Sequence, residues 1–220
     1  MTINFDREGT IVSTALVAVV SDAFGLFTWP GGALAGEVLS RLFKNRADAA
    51  QEIMLSELTR GNVRFSEIDP EECVAIVYRY LRAAHEGAAR NNLRLLSQVL
   101  AGQARLGLVK ADEFLYYADI LTSMRRDEIL LTGAILRSWN AASAQASDPT
   151  KRMQTATIQA KVALISDVFE DDADFRSVAD GLRRTGFLLT QPTAGGGDLL
   201  GPSPLLIRLS KLTDFQTVEE

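Results

Sequence analysis

The chain is poor in the residues that build most catalytic and metal centres. Cys73 is its only cysteine and His85 its only histidine, so no disulfide forms within one chain and no Cys/His zinc site can be assembled from it. The missing disulfides fit a reducing compartment. Nucleophilic catalysis with an imidazole base would have to run through His85, and no G-x-S-x-G elbow accompanies it. Diiron-type carboxylate sites use Glu-x-x-His motifs, and none occurs. His85, beside Glu86 in a helix, reads as structural. Positive charge is short as well. A total of 23 Lys and Arg against 28 Asp and Glu gives a net charge of −5, which speaks against a protein that coats nucleic acid. Met1 to Glu8 carry Asp6 and Glu8 against a single Arg7, which predicts no export signal. These absences leave no catalytic, cofactor or metal residue to name, and the chain is expected not to be an enzyme.

Charge is also missing locally. From Gly9 to Gly36, Asp22 is the only charged residue. Thr10 to Phe27 reads as a helix apolar nearly all round, Trp29-Pro30-Gly31-Gly32 as a break, and Ala33 to Phe43 as a second arm with Leu34, Val38 and Leu42 at helical spacing. The result is a candidate helical hairpin over residues 1–43. Phe24, Phe27, Trp29 and Asp22 mark it as a segment that is buried in the core or in an oligomer interface, or meets a membrane. The first arm is short for a bilayer, and Asp22 would cost about 3 kcal/mol inside one. A surface helix, however, needs a polar face that this arm lacks. The expected location is the cytoplasm or the periphery of the inner membrane.

The remaining apolar share is normal for a folded globular chain. Residues 44–122 read as a helical bundle. Lys44 to Arg60 is amphipathic and ends at Gly61-Asn62. Asp69-Pro70-Glu71-Glu72 is a helix start, with Asp69 as N-cap, Pro70 at the first helical position and Glu72 closing a capping box. The helix predicted from there buries Val74, Val77, Tyr78 and Leu81, weakens at Gly87, and continues or restarts through Leu93, Leu96, Val99 and Leu100 to end near Gly102. Ala111 to Leu121 predicts a further helix with Phe114, Leu115, Tyr117, Ala118 and Leu121 inward. Arg79, Arg82, Arg90 and Arg94 recur at helical spacings. They form either a solvated face paired with distant acids or a surface for an anion or acidic partner.

Residues 123–220 read as a winged-helix-like unit with one β-hairpin. Its expected parts are a helix from Arg126 to Asn140, a small polar loop or linker from Ala141 to Lys151 that is the best candidate internal boundary, and a helix from Met153 to Phe169 with Ile158, Val162, Ile165 and Phe169 in register. A third helix is capped by Asp172 or Asp174, buries Phe175, Val178, Ala179 and Leu182, and stops at Gly186. The apolar runs Phe187-Leu188-Leu189 and Leu205-Leu206-Ile207 predict two strands around a Gly- and Pro-rich loop. Gly195-Gly196-Gly197 lacks the residues of a phosphate loop and reads as flexibility of that loop. Asp167, Glu170, Asp171, Asp172 and Asp174 lack the pattern of a calcium loop. As DNA contacts of a winged helix the candidates are Arg176, Arg183 and Arg184, yet this region holds 11 basic and 13 acidic residues, a poor phosphate surface.

The order of features resembles the abortive-infection alpha type of bacterial helical proteins. It is carried by the Gly/Ala-rich apolar N-terminal segment, by Ala88-Ala89-Arg90-Asn91-Asn92-Leu93-Arg94-Leu95-Leu96, by a helix-loop-helix over Phe114 to Leu136, and by the closing turn Leu182 to Leu188. The resemblance implies a phage-defence or mobile-element context and a non-enzymatic role. The sequence as a whole predicts a mainly α-helical interaction protein, with a second copy of itself or another protein as partner. Membrane association and DNA regulation are the alternatives.

Overall fold

The computed structural model describes residues 35–61, 69–143, 148–193 and 197–215. Thr10 to Phe27, the break at Trp29 to Gly32, and Asp22, Phe24, Phe27 and Trp29 lie outside the described residues, as do Asn62, Gly195 and Gly196. The protein is mainly helical: eight helices and one two-stranded antiparallel hairpin lie among the described residues. The chain divides into two compact units, Met1–Thr122 and Ser123–Glu220.

The first unit begins with α1 (Ala35–Arg60), followed by α2 (Pro70–Glu86), α3 (Arg90–Arg105) and α4 (Ala111–Ser123). Helix α1 is one unbroken helix through Phe43 and Lys44, where composition alone suggests a change of element; no proline or glycine after Gly36 interrupts it. Its inward face is Ala50, Met54 and Leu58, each fully buried, at the i, i+4, i+8 spacing that places side chains on one stripe. Helix α2 starts as its sequence indicates, with the Asp69 carboxylate accepting from the Glu71 N–H at 2.9 Å and Pro70 in the first turn. Glu72 does not close a capping box. It accepts instead from the Ala111 N–H at the start of α4 and pairs with Lys110 at 3.8 Å. Gly87, at φ +92°, ends α2 in the left-handed conformation, and α3 is a fresh start that runs past Gly102 to Arg105.

The buried face of α2 is Ile76, Val77, Tyr80, Leu81, Ala83 and Ala84. Val74 and Tyr78, expected inside, lie on the outer side, because α2 carries a second apolar stripe and the one with more residues faces the core. The Tyr80 hydroxyl donates to the Ala50 carbonyl at 2.9 Å, tying α2 to α1. The buried Asn92 amide donates to the Leu121 carbonyl, tying α3 to α4. Helix α4 buries Ala111, Phe114, Tyr117, Ala118 and Leu121, with Leu115 half-buried.

The second unit contains α5 (Arg126–Ser143), α6 (Pro149–Leu164), α7 (Asp172–Arg184), β1 (Leu188–Pro192), β2 (Asp198–Pro202) and α8 (Pro204–Leu209). The boundary between the two units falls at Thr122/Ser123, not within 141–151. Helix α5 runs to Ser143, Asp148 caps α6 through the Thr150 N–H at 2.9 Å, and α5 and α6 pack along each other. Helix α6 ends at Leu164, short of Phe169, and Ser166 takes φ +85° in the turn that follows. Its inward face is Ala156, Thr157 and Ala160, and Ile158 and Val162 point outward. Small inward residues let β2 come close, and the Leu200 N–H donates to the Thr157 hydroxyl at 2.7 Å. Helix α7 is capped by Asp171, not Asp172 or Asp174. The Asp171 carboxylate accepts from the N–H groups of Ala173 and Asp174. Its buried face is Phe175, Val178, Ala179 and Leu182. The hairpin pairs Leu188 with Pro202 through to Pro192 with Asp198. The second strand therefore precedes Leu205-Leu206-Ile207, which is helical: Ser203 caps α8 by accepting from the Leu206 N–H, and Pro204 opens its first turn.

Candidate functional site

The four arginines at helical spacings do not form one continuous stripe, because Gly87 separates α2 from α3. Arg79, largely buried, reaches across to α4, donating to Asp119 at 2.9 Å and to the Thr122 hydroxyl at 3.3 Å. Arg82 donates to Glu86 at 2.7 Å one turn on, and this hydrogen bond raises its already high pKa. Arg94 donates at 2.9 Å to Glu57, a buried carboxylate that also accepts from Gln98 and Arg60. Arg90 is exposed at the start of α3. His85 stands beside the Phe43 ring, with centroids 5.4 Å apart. Burial and then the neighbouring Arg46 lower its pKa, so the neutral imidazole is the favoured form.

In the second unit Arg176 bonds Asp172, and Arg183 bonds Asp180 at 3.1 Å while standing 4.0 Å from Asp198 on β2. Arg184 is exposed. A cavity of about 180 Å³ lies between α6, α7 and the hairpin, lined by Lys161, Phe175, Arg176, Asp180, Thr190 and Asp198. Its two cations share the Asp172 carboxylate. The hydrogen bond from Lys161, with the charges of Lys161 and Arg176, holds that carboxyl below the usual range. Two cations and two carboxylates line the space, so it carries no excess charge for an ionic ligand. No group of His, Cys, Asp and Glu among the described residues could hold a metal ion. No helix among them is long and apolar enough to cross a membrane.

What the first unit does present is an apolar face. Val74 and Tyr78, one turn apart on α2, are 58% and 56% exposed, and Tyr116 on α4 is 51% exposed. Helices α2 and α4 run parallel, linked by Glu72 to the Ala111 N–H and by Arg79 to Asp119, both offset by about 40 residues. That offset sets Tyr116 level with Ile76 along the axis, but Val74 stands about 140–160° and Tyr78 about 100–120° around α2 from Glu72 and Arg79, the residues that reach α4, so the exposed stripe of α2 and Tyr116 are separate features. The flanks are charged: Glu71 and Arg82 on α2, Asp112 and Asp119 on α4, all exposed. The second unit shows a comparable stripe on α6, where Ile158 is 53% and Val162 79% exposed. Sequence periodicity found Val74, Tyr78, Ile158 and Val162 but assigned them to the core, and it did not single out Tyr116. The distinguishing signal is that α2 has apolar residues on two stripes, and only one can face inward.

Comparison of the chain with protein-family models, with curated proteins and with solved structures finds no match.

Proposed function

We propose that the protein is a non-enzymatic helical interaction protein that associates with itself or with a protein partner. The supporting observation is the outward placement of Val74 and Tyr78, one turn apart on α2. Large side chains grouped at more than half exposure, within a charged rim, mark protein-binding surfaces. The segment Gly9 to Gly36, with Asp22 as its only charge, is a second apolar contribution to the same role. The alternative for that segment is a lipid surface. The second unit we take as winged-helix-like, three helices followed by a hairpin, used for protein contact. Against DNA binding stands the occupation of Arg176 and Arg183 by Asp172, Asp180 and Asp198, since an arginine held by a carboxylate must break that pair to release counterions from phosphate. The phage-defence or mobile-element setting follows from the family resemblance.

The test is light-scattering mass across a concentration series on the full-length chain, beside liposome flotation. An assembly of defined mass that stays in the aqueous layer is expected. Flotation of the bulk of the protein would overturn this reading in favour of a membrane effector.

A further inference from the structure

The outer stripe of α2 reads Glu71, Val74, Tyr78, Arg82. At 100° per residue these four side chains fall within an arc of about 80° on the helix. The acid stands at one end, the base at the other, and the two apolar residues between them. The midpoint of Glu71 and Arg82 lies within about half a residue of the midpoint of Val74 and Tyr78. Such a stripe is complementary to its own two-fold copy. When a second α2 is laid antiparallel across it, Glu71 meets Arg82 of the second chain, Val74 meets Tyr78, and both relations hold twice. This is the condition for a closed isologous interface.

We propose that α2 is the dimerisation helix, pairing antiparallel with α2 of a second copy through Val74 and Tyr78 and closed at both ends by Glu71–Arg82 pairs. This rests on the self-association reading above and names the surface that performs it. The present partner of Arg82 does not oppose it. The Arg82–Glu86 pair joins two side chains that are each more than half exposed, and an exposed pair of that kind is weak and readily exchanged. Arg79 and Asp119 bond one another, so the rim near Tyr78 brings no uncompensated charge into the contact. At each end the second copy supplies the charge opposite to Glu71 or Arg82.

The test is sedimentation equilibrium of the full-length chain and three variants, Glu71→Lys, Arg82→Glu and the double variant, each checked for unchanged helix content. Each single reversal places like charges opposite one another and is expected to raise the dimer Kd at least tenfold. The double variant restores the pairing in reversed sense and is expected to return within about threefold of the parent. A merely structural role for either residue would not show this rescue. A dimer indifferent to all three variants overturns the assignment of the surface and leaves self-association standing. A dimer weakened by each single reversal but not rescued by the double overturns the antiparallel register. A parent chain monomeric at several hundred micromolar overturns both this proposal and the self-association reading. A thiol placed by Val74→Cys in a Cys73→Ser background supplies the second measurement. Its labelling should slow as protein concentration rises. Protection independent of concentration would mean that a segment of the same chain covers the face, and would overturn the proposal.

Discussion

Gly133 lies in the interior of α5, where helix propensity alone says that alanine should stabilise the protein by about 1 kcal/mol. The packing of the second unit reverses that sign. A Cβ at position 133 would stand 2.8 Å from the Phe215 carbonyl oxygen and 3.5 Å from its carbonyl carbon. The obstacle is backbone, so no side-chain rotation relieves it. If the 213–215 segment stays, the overpacking costs about 1–3 kcal/mol. If it moves away, the burial of Phe215, 3% exposed, is lost, at about 1.5–3 kcal/mol. Because the obstacle is backbone, the overpacking falls in the upper half of its range, and set against the propensity gain of about 1 kcal/mol Gly133→Ala should lose about 0.5–2 kcal/mol. With a urea m-value of about 1–2 kcal/mol/M for a unit of this size, the midpoint should fall by about 0.3–2 M. Trp139, with the Arg152 guanidinium 3.8 Å over its ring, reports on this unit once Trp29 is replaced by Phe. An unchanged or raised midpoint would refute the reasoning. A chain ending at Thr213 supplies the control: with the carbonyl removed, the same substitution should stabilise by about 1 kcal/mol, and a loss there would show that the clash is not the cause.

The Glu57–Arg94 pair should respond asymmetrically. Arg94→Met leaves a buried carboxylate with weaker partners and should cost about 2–3 kcal/mol, whereas Glu57→Gln keeps an acceptor for Arg94 and should cost about 1 kcal/mol; equal losses in urea melts would contradict the burial difference. His85 should make the first unit acid-sensitive. Its folded-state pKa is lowered, so the unfolded chain binds the proton first, and stability present above about pH 6.5 declines as pH falls through that value; His85→Gln should flatten this dependence, and a slope that persists unchanged would assign it elsewhere. Cys73 is buried, and burial, Asp69 and Glu72 all push its thiol pKa up. At pH 8 its modification by a disulfide reagent should be at least a hundredfold slower in the native protein than in urea, and a native rate near that of the unfolded chain would contradict the placement of α2.

The parts of the fold that sequence made legible are those where one signal stood alone. Asp69-Pro70 marks the start of α2, and the single stripe Phe175, Val178, Ala179, Leu182 marks the buried face of α7. Asp148-Pro149 and Ser203-Pro204 carry the same start signal, but the first was hidden in a polar stretch that resembles a linker and the second in an apolar run that resembles a strand. Faces were lost where apolar residues compete or where the core needs small ones. Helix α2 offers Tyr78 and Tyr80 on different sides, and α6 turns alanines inward against β2 while Val162 faces out. The charged partners were illegible for another reason. Arg94 finds Glu57 and Arg79 finds Asp119 across 37 and 40 residues, and spacing within one helix carries no information about such pairs. The candidate surface was thus visible as residues but not as a surface.

Helix α1 is a lever. Its 26 residues extend about 39 Å without a proline kink, from the residues that follow the apolar segment to the buried stripe Ala50, Met54, Leu58. Between these ends the Arg46 guanidinium grips the His85 carbonyl at 3.2 Å, at the close of α2. A pull or twist applied at Ala35 meets no proline along α1 in which to dissipate. It arrives at the end of α2 and in the core of the first unit, so the start of α1 is mechanically coupled to the helix that carries Val74 and Tyr78.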